Sequence, residues 1–553
     1  MRRLTAVLFL ALAAASAAPA QTGFSASNGR NHPELRWVVA RTEHFEIVYP
    51  DRLAGIEALA APIAEQTFAA VTANLGGTDG PIAFDDPIRI YLSDEDEIAN
   101  GTAYSVGSAG FTTVWVHVND AAQVFSGDAG WLRKVLAHEI THLIHFRAVQ
   151  SNIGLLSTFL ADPLPRFWTE GLAQYETERW DAQRGDRWLR TAVFEDRINY
   201  NDGSSAQNGR LLYSLGNSQV RLLAEQQGDS TIARILNYRE PALFGLARVN
   251  DFEHAFRAVT GEPYSAFNEA WRQHVNVYYN TIAGQMERLD SLGTEPLALP
   301  GQVIYDVAFS PDTSRVAVVA LPSLARPVRR LYVTANPGLI AAREAAQGVR
   351  RDSATVADST ARILAPPPDE TSARASDVPI PRGLRILAEG AIEGTVSWSP
   401  DGTRIAYARL HRGAHGSLVT DLYLVAVATG RTRRLTTDRR ATSPTFAPDG
   451  RRLAFVGAAD VATGGGSETA NVFVLDLDSG AETPLTRLSG IVQITALRWS
   501  ADGGRLALAL FDGRRDLAVV DAATGVLTRL GTDAANPDEA LRDDRLPVWS
   551  PDG

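Results

Sequence analysis

Five consecutive residues, His138-Glu139-Ile140-Thr141-His142, hold the side chains best suited to chemistry in this chain. On an α-helix, residues i and i+4 lie one turn apart on the same face. Two imidazoles at that spacing can reach one metal ion. Glu139 is rotated about 100° around the helix axis from His138, which puts its carboxylate beside the ion's open position. A zinc ion lowers the pKa of a water there to about 7, and a neighbouring carboxylate can take the proton. His138 and His142 are therefore candidate zinc ligands and Glu139 the candidate general base. The flanking Val135, Leu136, Ile140, Leu143 and Ile144 form the apolar stripe of a buried helix. A catalytic zinc takes three protein ligands. The chain has no cysteine, so the third must be His, Asp or Glu. His145, about one turn beyond His142, is one candidate. The segment Phe167-Trp168-Thr169-Glu170-Gly171-Leu172-Ala173-Gln174-Tyr175-Glu176 supplies another.

Elements must hold these groups in place. Phe45–Tyr49, Ile88–Leu92 and Thr113–Val118 alternate like strands, and Leu53–Leu75 and Trp131–Phe146 have helical spacing. Arg166 to Trp271 reads as mostly helical. The stretch from about 34 to 290 is thus a mixed α+β domain. The 113–118 strand is a candidate edge for an extended peptide, with His117 and Asp120 near it as structural or solvent-facing groups.

The motifs carry a resemblance. From about Trp37 to Trp271 the chain resembles a gluzincin of the peptidase MA-like group, related to the M1 aminopeptidases. The resemblance includes Thr42-Glu43-His44-Phe45-Glu46-Ile47 and Phe252-Glu253-His254-Ala255-Phe256. In that family the Glu of Trp-x-x-Glu-Gly-x-Ala, on a second helix, is the third zinc ligand. By position this is Glu170, with 27 residues between it and His142. The resemblance also implies a tyrosine that hydrogen-bonds the tetrahedral oxyanion, here Tyr213. Gln174 could orient a ligand histidine. The Gly-x-Met-x-Asn stretch with which M1 aminopeptidases hold a free amine is missing between Gly101 and Leu136, which favours an endopeptidase. The metzincin pattern is disfavoured, because Leu143, Ile144 and His145 follow the second histidine.

Past Thr294–Gly301 the texture changes. Phe309-Ser310-Pro311-Asp312 recurs as Trp398-Ser399-Pro400-Asp401-Gly402, Phe446-Ala447-Pro448-Asp449-Gly450, Trp499-Ser500-Ala501-Asp502-Gly503 and Trp549-Ser550-Pro551-Asp552-Gly553. The last four begin 48, 53 and 50 residues apart. Pro-Asp-Gly makes a tight turn, and four short strands per 40–50 residues make a propeller blade. Residues 302–553 resemble the WD40-like repeats of the periplasmic TolB β-propeller. The first spacing is 89 residues, which residues 337–382 explain as a disordered insertion between blades, rich in Ala, Arg, Ser and Pro. The chain ends inside a fifth copy, so a propeller left incomplete at the C-terminus is expected.

Composition bounds the rest. A net charge of −11 excludes a dominant basic field for nucleic acid. Arg2 and Arg3, the apolar Leu4–Ala17 and Ala18-Pro19-Ala20 read as a cleaved signal peptide. The expected layout is a leader over 1–20, a zinc peptidase domain over 21–293, a linker over 294–301 and blades over 302–553. The product is an exported, periplasmic or extracellular peptidase with Zn2+ as cofactor and a peptide or protein as substrate, without a transmembrane helix. Its propeller would dock substrate or an envelope protein. The alternative is a non-catalytic envelope scaffold acting through the propeller, against which stands the intact set His138, Glu139, His142 and Glu170.

Overall fold

Alternating apolar residues build the first sheet. Phe45, Ile47 and Tyr49 of β2 (Phe45–Pro50) and Ile88, Ile90 and Leu92 of β3 (Ile88–Ser93) are all buried on one face. The structure is a computed structural model. It describes residues 35–77, 80–94, 96–97, 100–106, 109–116, 131–151, 160–180, 182–194, 209–285, 303–321, 328–336, 384–413, 417–458, 469–489, 492–511, 515–530 and 547–550. The leader, the 294–301 linker, the 337–382 insertion, His117, Asp120 and the last three residues lie outside these.

The sheet order is β1-β2-β3-β5-β4, with β1 (Trp37–Arg41), β4 (Gly101–Val106) and β5 (Ala109–Trp115). β2, β3 and β5 run parallel, and β1 and β4 are antiparallel edges. Helix α1 (Ile56–Asn74) crosses from β2 to β3 and buries Ala60, Ala64, Phe68 and Val71, a helical stripe. Helix α2 (Trp131–Ala148) packs on α1, β4 and β5 through Val135, Leu136, Ile140, Leu143 and Ile144. Helix α3 (Arg166–Glu178) crosses α2. It is backed by α5 (Gly209–Gln227), on which α4 (Ala182–Phe194) packs in turn, with α6 (Ser230–Asn237), α7 (Phe252–Thr260) and α8 (Tyr264–Gln285) completing the helical layer.

Among the described residues four antiparallel four-stranded sheets follow, each a meander. The first holds β8 (Val303–Phe309), β9 (Arg315–Leu321), β10 (Arg329–Ala335) and β11 (Arg385–Gly390). β10 and β11 are hydrogen-bonded neighbours. Residues 337–382 therefore fall inside this blade, between its third and fourth strands. The expected place between blades is corrected. The first strands of successive sheets, β8, β12 (Ile392–Trp398), β16 (Ala441–Phe446) and β20 (Gln493–Trp499), pack side by side, and apolar cores fill the gaps between adjacent sheets.

The recurring phrase makes the turn after each first strand. Ser310 and Ser399 donate to Asp312 and Asp401 and accept the N–H of Arg315 and Arg404. These bonds hold the Asp312 and Asp401 carboxyls down at about 2. Gly402, Gly450 and Gly503 take φ between 66° and 73°. The aromatic of the phrase ties neighbouring sheets. Trp398 Nε1 donates to Ala308, and Trp499 Nε1 to Thr445. Arg315, Arg404, Arg452 and Arg505 lie 5.0–5.6 Å from the ring of the next copy, each worth about 0.5–1 kcal/mol where exposed.

The two regions meet at the loop after β3. Glu97 N–H donates to Leu418 O (2.8 Å), Leu418 N–H to Asp96 Oδ1 (2.7 Å), and the Thr420 amide and hydroxyl to Glu97 Oε2. Arg440 donates to Asp94 O, and Arg52 pairs with Asp94 Oδ1. The loop thus covers the start of β14 (Leu418–Ala426), whose partner strand β15 (Thr432–Arg434) reaches only Tyr423–Val425. Burial pushes the Glu97 carboxyl up to about 7, opposed by Arg440 and Thr420. The folded chain then keeps a proton that the unfolded chain releases above about 4.3, so Glu97 lowers stability as pH rises from about 4 to 7. Glu97→Gln is expected to stabilise the protein at pH 8 by on the order of 2 kcal/mol and to be neutral at pH 4. Calorimetric melting at the two pH values checks this; a lower melting temperature at pH 8 would show that Arg440 holds the ionised form. No helix among the described residues is long and apolar enough to cross a membrane.

Candidate metal centre

α2 and α3 bring three donor atoms together. His138 Nε2 lies 3.1 Å from His142 Nε2 and 3.2 Å from Glu170 Oε2, and His142 Nε2 lies 3.3 Å from the same oxygen. The edge of a tetrahedron with bonds of about 2.0 Å is about 3.3 Å, so the three atoms are spaced as three corners of a zinc site. A proton lies between two atoms and satisfies one of these contacts; a cation at the centre satisfies all three. The donor set, two imidazoles and a carboxylate, is one that zinc takes. The residues present fit the ion.

The site lies in the interior. Glu139 and His142 are each 6% exposed. Burial alone would raise the Glu170 carboxyl, but the charge of His142 and hydrogen bonds from both histidines hold it well below the usual range. His142 is raised, since Glu170 outweighs the effect of burial. Glu139 stands outside the triangle, and burial, reinforced by the Glu170 charge, pushes it up to about 8.

Tyr213 of α5 reaches the site. Its ring lies 5.5 Å from that of His138 and its hydroxyl hydrogen-bonds Glu170. Burial and then the charges of Glu170 and Glu139 raise its pKa well above the ordinary value. His145 is not brought into the donor triangle. It is buried behind His142, 4.7 Å from the Phe146 ring, and burial followed by His142 lowers it to about 3. Gln174 is buried and donates to Glu178 Oε1 (2.7 Å), while its own Oε1 finds no partner among the described residues.

The strand nearest the chemistry differs from the one expected. β5 is bonded on both sides at Thr113 and Val114, to β3 and β4, so those two residues offer no free edge, and residues 117–118 of the expected strand lie outside the described residues. β4 is the edge, and its outer side pairs with no strand among the described residues. It passes directly over α2, since a Cβ on Gly101 would stand 2.6 Å from Glu139 Oε1 and from Val135. Sequence reasoning missed Gly101, and no local pattern marks it. It also missed the backbone contact of α3 with α5, where Gly171 meets Gly216; the Gly after Glu170 was the one visible sign.

No family model matches the chain. Over 140 residues it is 31% identical to dipeptidyl-peptidase 5 of Porphyromonas gingivalis, a stretch covering 24% of this chain and 20% of that protein. Among solved structures, TolB from Acinetobacter baumannii overlaps 41% of this chain and 43% of its own at 17% identity, with a TM-score of 0.28. A putative TolB from Agrobacterium tumefaciens overlaps 42% and 66% at 15% identity and a TM-score of 0.28. A puromycin-hydrolyzing peptidase of Mycobacterium tuberculosis overlaps 45% and 32% at 14% identity and a TM-score of 0.27. The chain thus spans one fifth of the length of the curated relative it matches.

Proposed function

We propose that this chain is an exported zinc-dependent peptidase, an endopeptidase of gluzincin type, in which His138, His142 and Glu170 hold the ion. The convergence of their three donor atoms at 3.1–3.3 Å carries the reading. When bound, zinc would supply a Lewis acid that polarises a carbonyl and makes a water more acidic. Glu139 takes the water's proton and returns it to the leaving amine. Tyr213 steadies Glu170 and stands ready to donate to a developing oxyanion. The free edge of β4 takes the substrate as an added strand beside Glu139. The blades dock substrate or an envelope partner. Export rests on the leader-like residues 1–20, and peptidase chemistry agrees with the name of the relative matched over 140 residues.

Metal content of the purified chain tests this directly. About one zinc per chain is expected by mass spectrometry, lost in His142→Ala and in Glu170→Ala. Peptide hydrolysis should stop with a chelator and return with added zinc. A chain that takes up no zinc even on reconstitution would overturn the reading and leave the propeller as the functional part.

A further inference from the structure

We infer that the β6–β7 hairpin is a bilayer-inserting tip, a property independent of the zinc reading. β6 (Glu240–Ala242) and β7 (Ala247–Val249) pair antiparallel and are joined by Leu243-Phe244-Gly245-Leu246. Phe244 is fully exposed, Leu246 is 80% exposed and Leu243 47%. Leu243, Phe244 and Gly245 take φ of 50°, 56° and 88°. Leucine and phenylalanine rarely adopt that left-handed conformation. A turn selected only to reverse the chain would use Asn or Gly there. Here the fold holds bulky apolar side chains outward in a conformation that does not favour them, which is the pattern of strain kept at a working site.

The base of the hairpin is fixed. Arg239, just before it, donates to the carbonyls of Leu236, Tyr238, Ala148 and Gln150. Asn250, just after it, donates to those of Ile235, Leu236 and Tyr238. Ser151 donates to Arg248 O at 2.7 Å. The tip is therefore presented by a rigid pedestal, with its arms bolted to the C-terminal ends of α2 and α6.

Size and shape choose the partner. Three such side chains offer on the order of 400 Å², about half of what each side of a stable protein interface contributes. A second copy of this chain or a folded partner would need much more surface than the tip has. A bilayer needs no complementary pocket. Ala247 and Val249 of β7 are buried, so the apolar surface that stands out is the Leu243–Leu246 tip alone, a shallow wedge suited to the headgroup and acyl boundary that apolar faces enter by about 5–10 Å. The occupant is the apolar boundary of a lipid bilayer.

The chain has no cysteine, so a single Phe244→Cys carries one environment-sensitive fluorophore, with Val526→Cys in an exposed turn as the control. Phosphatidylcholine vesicles should shift the label at 244 to the blue, and brominated acyl chains should quench it, with neither effect at 526. Leu243→Asn with Phe244→Asn suits the left-handed backbone, so it should fold with an unchanged melting temperature. It should lower sedimentation with vesicles at least tenfold. Residues 4–17 are themselves apolar, so the two full chains compared must carry the same N-terminus. A label at 244 that stays in water, or equal vesicle binding by the double variant, overturns the inference. So does a dimer in sedimentation velocity that the double variant dissolves, which would assign the tip to a second copy instead.

Discussion

Glu139→Gln is expected to keep about one zinc per chain and to lose on the order of 10³-fold in kcat, with KM little changed. The glutamine retains the shape and the buried position of Glu139, and it lies outside the triangle formed by His138, His142 and Glu170. It cannot accept a proton. Packing around it should hold, because Gly101 already leaves room for a side chain of this size against β4. Zinc by mass spectrometry, circular dichroism and steady-state cleavage of a quenched-fluorescence peptide give the three readouts. Full activity in the variant would remove Glu139 from the chemistry. Loss of zinc along with activity would instead make Glu139 part of the metal site. The contrast with Glu170→Ala, which should lose both metal and turnover, separates the base from the ligands.

What could be read from the sequence follows the range of the physics. His138 and His142 stand one helical turn apart, and helical periodicity is local, so their shared face is visible in five letters. The Ser-Pro-Asp-Gly turns are equally local, since the Ser hydroxyl and the Asp carboxylate bond within five residues of themselves. Pairing between distant segments is not local. The order β3-β5-β4 decides which strand is the edge, and Gly101–Val106 carries too little apolar alternation to announce a strand at all. The return of the chain to β11 after 337–382 is likewise set by pairing with β10. Glu97 looks like one more acid in an acidic loop until Leu418 and Thr420 are seen to bond it. Glu170 came from a resemblance, because nothing within reach of His142 in sequence announces a partner helix.

Gly171→Ala should unfasten the site without touching a donor atom. A Cβ at 171 would stand 2.1 Å from the carbonyl carbon of Gly216 and 2.3 Å from the Asn217 nitrogen, and one at 216 would stand 1.6 Å from Phe167 O. All of these are backbone atoms, which cannot turn aside as a flexible side chain can. Reaching ordinary contact requires α3 and α5 to separate by about 1 Å or more, and overpacking of that kind costs about 3 kcal/mol or more. Glu170 immediately precedes Gly171, Tyr213 of α5 hydrogen-bonds Glu170, and Trp168 Nε1 donates to Gln219 Oε1 at 2.7 Å. Moving the helices apart therefore shears the carboxylate from the two histidines on α2. The variant is expected to melt several degrees lower and to bind zinc at least tenfold more weakly. Gly216→Ala should do the same. Gly284→Ala, where a Cβ meets nothing within 4 Å, should be neutral or stabilising by up to about 1 kcal/mol. Glu170→Ala, by contrast, should lose zinc while keeping the α3–α5 contact. If Gly171→Ala kept both the parent's melting temperature and its zinc, the two helices would be free to part, and the glycine contact would not be what holds the third ligand in place.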